Sequence, residues 1–375
     1  LSSSQPIARI DLGALKHNYG EVRRLTGPSV ETMAMVKADA YGHGGPAVAA
    51  ALAAVGCRTF GVANLDEAAS IREATPAARI LVFGGLLADD APRAVNLGVE
   101  VVTQELETVR ALGAAASADG VEIGIHLKVD TGMRRLGVAT SDASGWYEKA
   151  GKTRDIKLLG LCSHFAMAES VVTAVTAGQL ERLNAVAAQL RTRGWVGQTH
   201  IANSAAILSV PQAHLDMVRP GLMLYGLYPS AELRVRANLR PVMAFDAPIV
   251  RIGGVGPDEG IGYGHSYRAS APMRVATIRC GYADGYPRAL SNRGRVLVRG
   301  AYAPVVGRVC MDHTMIDVTR IGETRVGDRV RLWGPGLDAV EVAADADTIA
   351  YELVARVGPR VRRQYEDPVS DERAE

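Results

Sequence analysis

The chain has 375 residues, 42 of them Lys or Arg and 40 Asp or Glu, for a formal net charge of +2. That near-balance gives no electrostatic basis for nucleic acid or an anionic membrane surface as a partner. With 48% hydrophobic and 22% charged residues, the sequence reads as a globular protein with room for one large domain and a smaller second one.

No window stays apolar long enough to span a bilayer, and the Ala-rich stretch 46–63 is broken by Arg58. The chain opens on Leu1 and three serines rather than on methionine, which leaves a removed leader or an upstream segment open. Cys57, Cys162, Cys280 and Cys310 are widely spaced and lack the paired spacing of metal ligands, so no metal is expected. Three of them sit beside strand-like apolar runs and read as small buried thiols. So few cysteines favour a reducing compartment, the cytoplasm.

The alternating segment Ile7–Asp11 comes first, and residues 1–11 are assigned to an N-terminal strand that joins the C-terminal β domain. A rhythm follows. Strand-like runs begin near Thr32, Thr59, Arg79, Val99, Glu122, Lys157, Thr199 and Met217. Most lead into helical segments, such as Leu65–Ala74, Gln104–Ala116 and Val175–Thr192. In the last of these, Leu180, Leu183, Val186, Ala187 and Leu190 recur at the spacing of one helix face. Strand-plus-helix units of this kind over residues 12–238 predict a parallel, TIM-like (β/α)8 barrel.

The polar exceptions cluster at the predicted strand ends. Lys37 ends the first strand, Lys128 and Asp130 the fifth, His164 the sixth, and Asn203 and Ser204 the seventh, while Arg219 belongs to the eighth. Barrels of this type keep their chemistry at the C-terminal ends of the strands, so these groups are expected at one mouth. Residues 239–366 change character, to short β-type runs separated by Gly, Pro and Asp turns. They predict a smaller, mainly β domain, followed by a polar, mobile tail over 367–375.

A lysine held at the rim of a core is desolvated, which lowers its pKa and makes the amine nucleophilic or basic. The plain alternative is a lysine that snorkels to water. An amine at a barrel mouth suggests a Schiff base, either with a substrate carbonyl or with pyridoxal phosphate. The second option needs a phosphate site, and the loops after strands seven and eight commonly supply one. Here they carry Asn203-Ser204 and Arg219-Pro220-Gly221-Leu222, a hydroxyl and glycine-adjacent N–H groups suited to phosphate oxygens.

The segments MVKADAYGHG, KVDTGMRRLG, SHFA, ANSAA, RPGLMLYGL, GYGHSY, GYADGYPR and GRVCMD occur in one order. Together they resemble the bacterial alanine racemases, pyridoxal-phosphate enzymes that interconvert L- and D-alanine, over about Ile7 to Arg363. The resemblance implies that Lys37 carries the cofactor and serves as one base, with Tyr263 the second base on the opposite face. It implies cofactor contacts from Tyr41, Arg135, His164, Asn203, Ser204, Arg219, Gly221 and Leu222, with Arg219 facing the pyridine nitrogen. Arg135, Met311 and Asp312 would meet the substrate, and Tyr267 and Tyr282 would line its access route. Lys128 matches a lysine that many relatives carry as a carbamate. The resemblance further implies a homodimer with shared active sites, in which Lys37 and Tyr263 come from different chains, and a supply of D-alanine for peptidoglycan.

One departure stands out. Some relatives have a phosphate-contacting tyrosine eight residues beyond the tyrosine that appears here as Tyr351, and this chain has Pro359 there. Loss of that hydroxyl leaves exclusion of serine in doubt. Two other readings of the same barrel stay in view, a decarboxylase and a non-catalytic cofactor carrier. Decarboxylases of this architecture lack the GYGHSY run, and carriers of this fold are single barrels.

Overall fold

In a computed structural model of the chain, residues 4–169 and 173–367 are described. Strand β1 (Ile7–Asp11) leads into helix α1 (Leu12–Thr26), started by the Asp11 carboxylate, which accepts the Ala14 N–H at 2.8 Å. The alternation foreseen in the sequence then runs its full course: β2 (Glu31–Met35), α2 (Gly45–Ala54), β3 (Thr59–Val62), α3 (Leu65–Ala74), β4 (Arg79–Val82), α4 (Ala91–Asn96), β5 (Glu100–Thr103), α5 (Leu106–Asp119), β6 (Ile123–Asp130), α6 (Ala143–Ala150), β7 (Ile156–Cys162), α7 (Ala174–Thr192), β8 (Gln198–His200), α8 (Ser204–Ser209) and β9 (Met217–Val218).

Strands β2 to β9 pair in parallel, each with the next in sequence. The β9–β2 pairing, Met217 to Glu31, closes the ring. This is an eight-stranded closed barrel with its helices outside. The strands are short and apolar because both faces are covered. Leu81, Val101, Ile125 and Leu127 are all fully buried, each worth about 1.5–3 kcal/mol relative to exposure. The predicted helix face on α7 is the packed one, with Leu183, Val186, Ala187 and Leu190 buried and Leu180 half-buried against them.

The second domain is built on β10 (Met243–Val255), a 13-residue strand long enough to serve two sets of neighbours. The other elements are β11 (Gly260–Ile261), β12 (Tyr267–Arg268), β13 (Met273–Ile278), β14 (Arg295–Val298), β15 (Ala301–Pro304), β16 (Thr314–Asp317), β17 (Arg329–Trp333), α9 (Ala339–Asp345), α10 (Ala350–Ala355) and β18 (Arg362–Glu366). The first half of β10 pairs with β17 and β1, and a bulge between Ile249 and Arg251 turns its second half toward β13. Strand β1 lies between β10, antiparallel, and β18, parallel, so both ends of the chain share one sheet.

The mainly β character expected of the second domain is observed, with local departures from the sequence pattern. Within the apolar run 303–311, strand β15 ends at Pro304; Val305 bridges Ile316, the Val306 N–H donates to the Met315 carbonyl at 3.0 Å, and Val306 and Val309 are buried. Helices α9 and α10 follow the last of the β-type runs inside this mainly β domain, and α10 carries Tyr351 and Glu352. The tail over 367–375 lies, apart from Asp367, outside the described residues; Asp367 pairs with Lys16 at 2.7 Å.

Candidate active site

Strand β2 stops at Met35, two residues before Lys37, because the backbone turns out of the barrel there. In the turn Lys37–Gly42, the four residues Ala38, Asp39, Ala40 and Tyr41 hold φ of 52–54° and ψ of 41–52°. A left-handed turn of L-residues costs about 1–2 kcal/mol per residue, so its surroundings must impose it. The Glu67 carboxylate accepts the N–H groups of Ala38 and Ala63, both at 2.7 Å, and Asp39 Oδ1 accepts that of Gly45 at 2.7 Å. Arg363, next to the first residue of β18, donates to the Gly42 carbonyl at 3.2 Å and lies 3.8 Å from Asp39. Gly42, with φ of 80°, passes so close to α10 that a Cβ would stand 2.2 Å from the Val354 carbonyl oxygen. Lys37 therefore leaves a clamped backbone.

Lys37 opens onto the mouth, and its pKa is lowered by desolvation first, then by Arg135 and Arg219. Lys128, in β6, is buried, and desolvation brings its amine down to about 8, with Arg219 and Arg135 adding to the effect and Cys162 opposing it. His164, two residues past the end of β7, is held well below the usual imidazole value by burial and then by Arg219, Lys128, Arg135 and Lys37. These five groups, named from the sequence, thus act on one another at one end of the barrel. Arg135 reaches them from the exposed loop after β6. No carboxylate forms an ion pair with Lys37, Lys128, Arg135 or Arg219 among the described residues. A mouth of that kind calls for an anion.

Beside it lies a small cradle. The Ser204 hydroxyl, at the start of α8, accepts the N–H groups of Gly221 at 2.9 Å and Met223 at 3.2 Å. Leu222 opens a 3-10 turn, Leu222–Tyr225, from the far side. The Tyr41 hydroxyl approaches until a Cβ on Gly221 would be 2.4 Å away. Burial raises the Tyr41 phenol to about 12, so it is a neutral hydrogen-bond donor. Asn203 opens the same helix, its side-chain oxygen capping α8 by accepting the Ala206 N–H at 3.0 Å.

The second-domain candidates stand apart from this mouth. Tyr263 is 71% exposed and borders an open groove with Arg251, Val255, His265, Cys310 and Met315, all of its own domain. Tyr267 forms the β11–β12 hairpin opposite Ile261. Tyr282 and Met311 are exposed and adjacent, the Tyr282 N–H donating to the Cys310 carbonyl at 3.0 Å. Asp312 pairs with Arg360 at 2.7 Å, and Arg360 also holds the buried Asp284 at 2.8 Å. Pro359, next to Arg360, is exposed on this domain.

Sequence reasoning missed a polar column through the barrel. Arg219 is 4% exposed and donates to the carbonyls of Ser163 at 2.8 Å and Ile201 at 3.1 Å, and lies 3.5 Å from His164 Nδ1. Its other Nη atom lies 2.6 Å from His200 Nδ1. His200 Nε2 is 2.9 Å from His126 Nδ1, and His126 Nε2 is 2.9 Å from Glu100. Glu100 is then held by Arg79, which also pairs with Glu31. The available signal was a histidine on an inward position of the apolar run IGIHLKVD and another in THIANS.

Residues 10–229 match the family described as alanine racemase, N-terminal domain, and residues 242–365 match alanine racemase, C-terminal domain. An alanine racemase of Desulfovibrio desulfuricans is 42% identical over 97% of this chain and 99% of its own. The crystal structure of the alanine racemase from D-cycloserine-producing Streptomyces lavendulae superposes with a TM-score of 0.93 at 33% identity, over 98% of each chain. That of the Bartonella henselae alanine racemase, with covalently bound pyridoxal phosphate, gives 0.88 at 30% identity, over 97% of this chain and 100% of that one. The chain belongs to the alanine racemase family.

Proposed function

We propose that this protein interconverts L- and D-alanine with pyridoxal phosphate, using Lys37 and Tyr263 as opposed bases. The observation that carries this reading is the desolvated Lys37 amine at a barrel mouth whose cations have no carboxylate partners. Pyridoxal phosphate suits that mouth: the Ser204–Gly221–Leu222 cradle and the Tyr41 hydroxyl would take its phosphate, Arg219 its ring nitrogen, and Lys37 its aldehyde carbon. When bound, the cofactor supplies an electron sink that acidifies the α-hydrogen of an amino acid.

The protein groups then have distinct tasks. Arg135, with the Met311 amide and Asp312, holds the substrate at its carboxylate end. Lys37 Nζ, its pKa lowered by desolvation, takes or returns the α-proton on one face. Tyr263 of the partner subunit works on the other face, since racemisation needs proton carriers on both. Exposure of Tyr263, Met311 and Tyr282 on the second domain supports a head-to-tail homodimer in which that surface covers a second copy's mouth. Tyr267 and Tyr282 would line the route by which alanine reaches it.

Lys128 is suited to react with carbon dioxide: an amine lowered to about 8 presents a neutral nitrogen. Its carbamate would be an anion beside Arg135, replacing repulsion by attraction. Among the described residues no helix is long and apolar enough to cross a membrane. The four free thiols fit a cytoplasmic enzyme that supplies D-alanine for peptidoglycan.

Purified protein with pyridoxal phosphate, given L-alanine, L-serine or L-lysine and followed by chiral chromatography, tests the reading. Rapid formation of D-alanine, abolished in Lys37→Ala, is expected, and the serine rate measures the effect of Pro359. Tyr263→Phe should keep the cofactor and lose most turnover; full activity there removes the two-base assignment.

A further inference from the structure

Arg219 is a buried guanidinium that acts on two other cations, Lys37 and Lys128, and among the described residues no carboxylate pairs with it. Its own contacts are two carbonyl oxygens and two imidazole nitrogens. A buried cation in that setting needs an anion somewhere, and the column below it ends on one. Glu100 is the first residue of β5, at the barrel floor, whereas Arg219 follows β9 at the mouth.

The protons along this column have one consistent arrangement. A guanidinium only donates, so His200 Nδ1, 2.6 Å from Arg219, must be an acceptor. The single proton of a neutral His200 is then on Nε2, which donates to His126 Nδ1 at 2.9 Å. His126 in turn carries its proton on Nε2 and donates to Glu100 at 2.9 Å. Glu100 can only accept, since Arg79 donates to both of its oxygens at 2.9 Å. Fixed donors at the two ends, Arg219 and Arg79, leave neither imidazole a choice of tautomer.

We propose that Glu100 is the counterion of Arg219, joined to it through His200 and His126, and that Glu100 and His126 are positioning residues for the guanidinium at the mouth. The line runs Arg219 to His200 to His126 to Glu100, every hydrogen bond pointing to the floor. Bonds aligned in this way polarise one another in a low-dielectric interior. The negative charge of Glu100 is thereby felt at Arg219 without a carboxylate in contact with the guanidinium, where it would compete with an anionic ligand. Arg79 ties Glu100 to Glu31 and faces Gln198, so the floor keeps the carboxylate ionised and in place. The catalytic consequence rests on the racemase reading; the counterion assignment does not.

The test uses the full-length holoenzyme labelled with 15N in its histidine rings, with long-range 1H–15N spectra recorded for wild type and Glu100→Gln. Two of the eight histidines should be neutral Nε2–H tautomers in the wild type. The His126 Nε2–H proton should lie far downfield, as in a charge-assisted bond. Glu100→Gln keeps an acceptor and removes the charge. It should shift that proton upfield, move the His200 ring nitrogens as well, and lower kcat for alanine about tenfold, the size of an orienting-partner loss.

An Nδ1–H tautomer or an imidazolium at either position in the wild type overturns the proposal, whether or not the variant folds. So does a His200 spectrum untouched by Glu100→Gln. The expected spectra from a protein that does not racemise alanine would end the racemase reading and leave the counterion standing. Racemisation with the wrong tautomers would do the reverse.

Discussion

Gly221→Ala asks whether the surface formed by Tyr41, Ser204 and Gly221 is the phosphate cradle. The φ of Gly221 is −121°, so the change acts through its added carbon. That carbon would lie 2.4 Å from the Tyr41 hydroxyl and 2.9 Å from its Cζ. The backbone cannot retreat, because the Ser204 hydroxyl holds the Gly221 N–H at 2.9 Å and the Met223 N–H at 3.2 Å. Tyr41 must move instead, although its ring packs 4.9 Å from Tyr225 and 6.2 Å from Tyr351. Overpacking of this kind costs about 1–3 kcal/mol, and a displaced phenol takes with it a hydrogen bond to phosphate worth about 1.5–3 kcal/mol. The affinity for pyridoxal phosphate should fall about ten- to a hundredfold. The assay is absorbance titration of apoprotein with the cofactor, beside thermal unfolding of the apoprotein. Adding Tyr41→Phe removes the closest clash, and should restore stability without restoring affinity. Wild-type affinity in Gly221→Ala, or full recovery of affinity in the double variant, would refute the cradle.

The remaining predictions concern the amine, the floor and the turn. Protein equilibrated with 13C-bicarbonate should show a carbamate carbon resonance that is absent in Lys128→Ala; its absence in the wild type would leave Lys128 as a bare amine beside Arg135. At the floor, burial raises the Glu100 pKa, but hydrogen bonds from His126 and Arg79 outweigh it and hold the carboxyl at about 2 against an ordinary 4.5. Its folded-state pKa is depressed, so its contribution of about 3 kcal/mol is present above pH 4.5 and is lost as pH falls toward 2. Glu100→Gln should therefore flatten the acid limb of the unfolding profile, and an unchanged limb would sink the assignment. Gly42→Ala should destabilise the fold by about 3 kcal/mol or more, since a strained φ adds to a backbone clash. Gly120→Ala, in the left-handed region at φ of 67° and ψ of 30° but with nothing within 4 Å, should cost only about 1–2 kcal/mol, and equal losses in denaturant unfolding would refute the packing argument.

Barrel strands were legible in the sequence because a strand buried on both faces has to be short and apolar, and turn residues bound it on either side. Thr59, Arg79 and Met217 open their strands where the pattern places them. The strand ends were less legible. Lys37 and His164 were assigned to the ends of strands, but the backbone leaves the ladder two residues earlier, a choice set by tertiary contacts such as Glu67 with the Ala38 N–H. That Asn203 also caps α8 was not legible, because an N-cap and a polar ligand look alike in sequence. Helix α10 is only six residues long, too short for the i, i+3, i+4 burial of Ala350, Leu353 and Val354 to stand out in the sequence. The column from Glu100 to Arg219 was invisible because it joins four strands, β5, β6, β8 and β9, that are far apart in sequence and adjacent only around the closed ring.

The two ends of the barrel divide the charge. At the floor each charge near Glu100 has an opposite within hydrogen-bond reach: Arg79 meets Glu31 and Glu100, and Gln198 donates to Glu31 at 2.7 Å. At the mouth Lys37, Lys128 and Arg219 have none, and desolvation lowers the pKa of each. A fold gains nothing from gathering unpaired cations, because each raises the cost of the next. The arrangement is stable only if something offsets it: a carboxylate acting at a distance through two imidazoles, a carbamate at Lys128, and the anionic groups of a bound ligand. Uncompensated charge thus gathers at one end of the barrel, where Lys37 leaves the left-handed turn, and it makes the mouth more stable with an anion bound than without one.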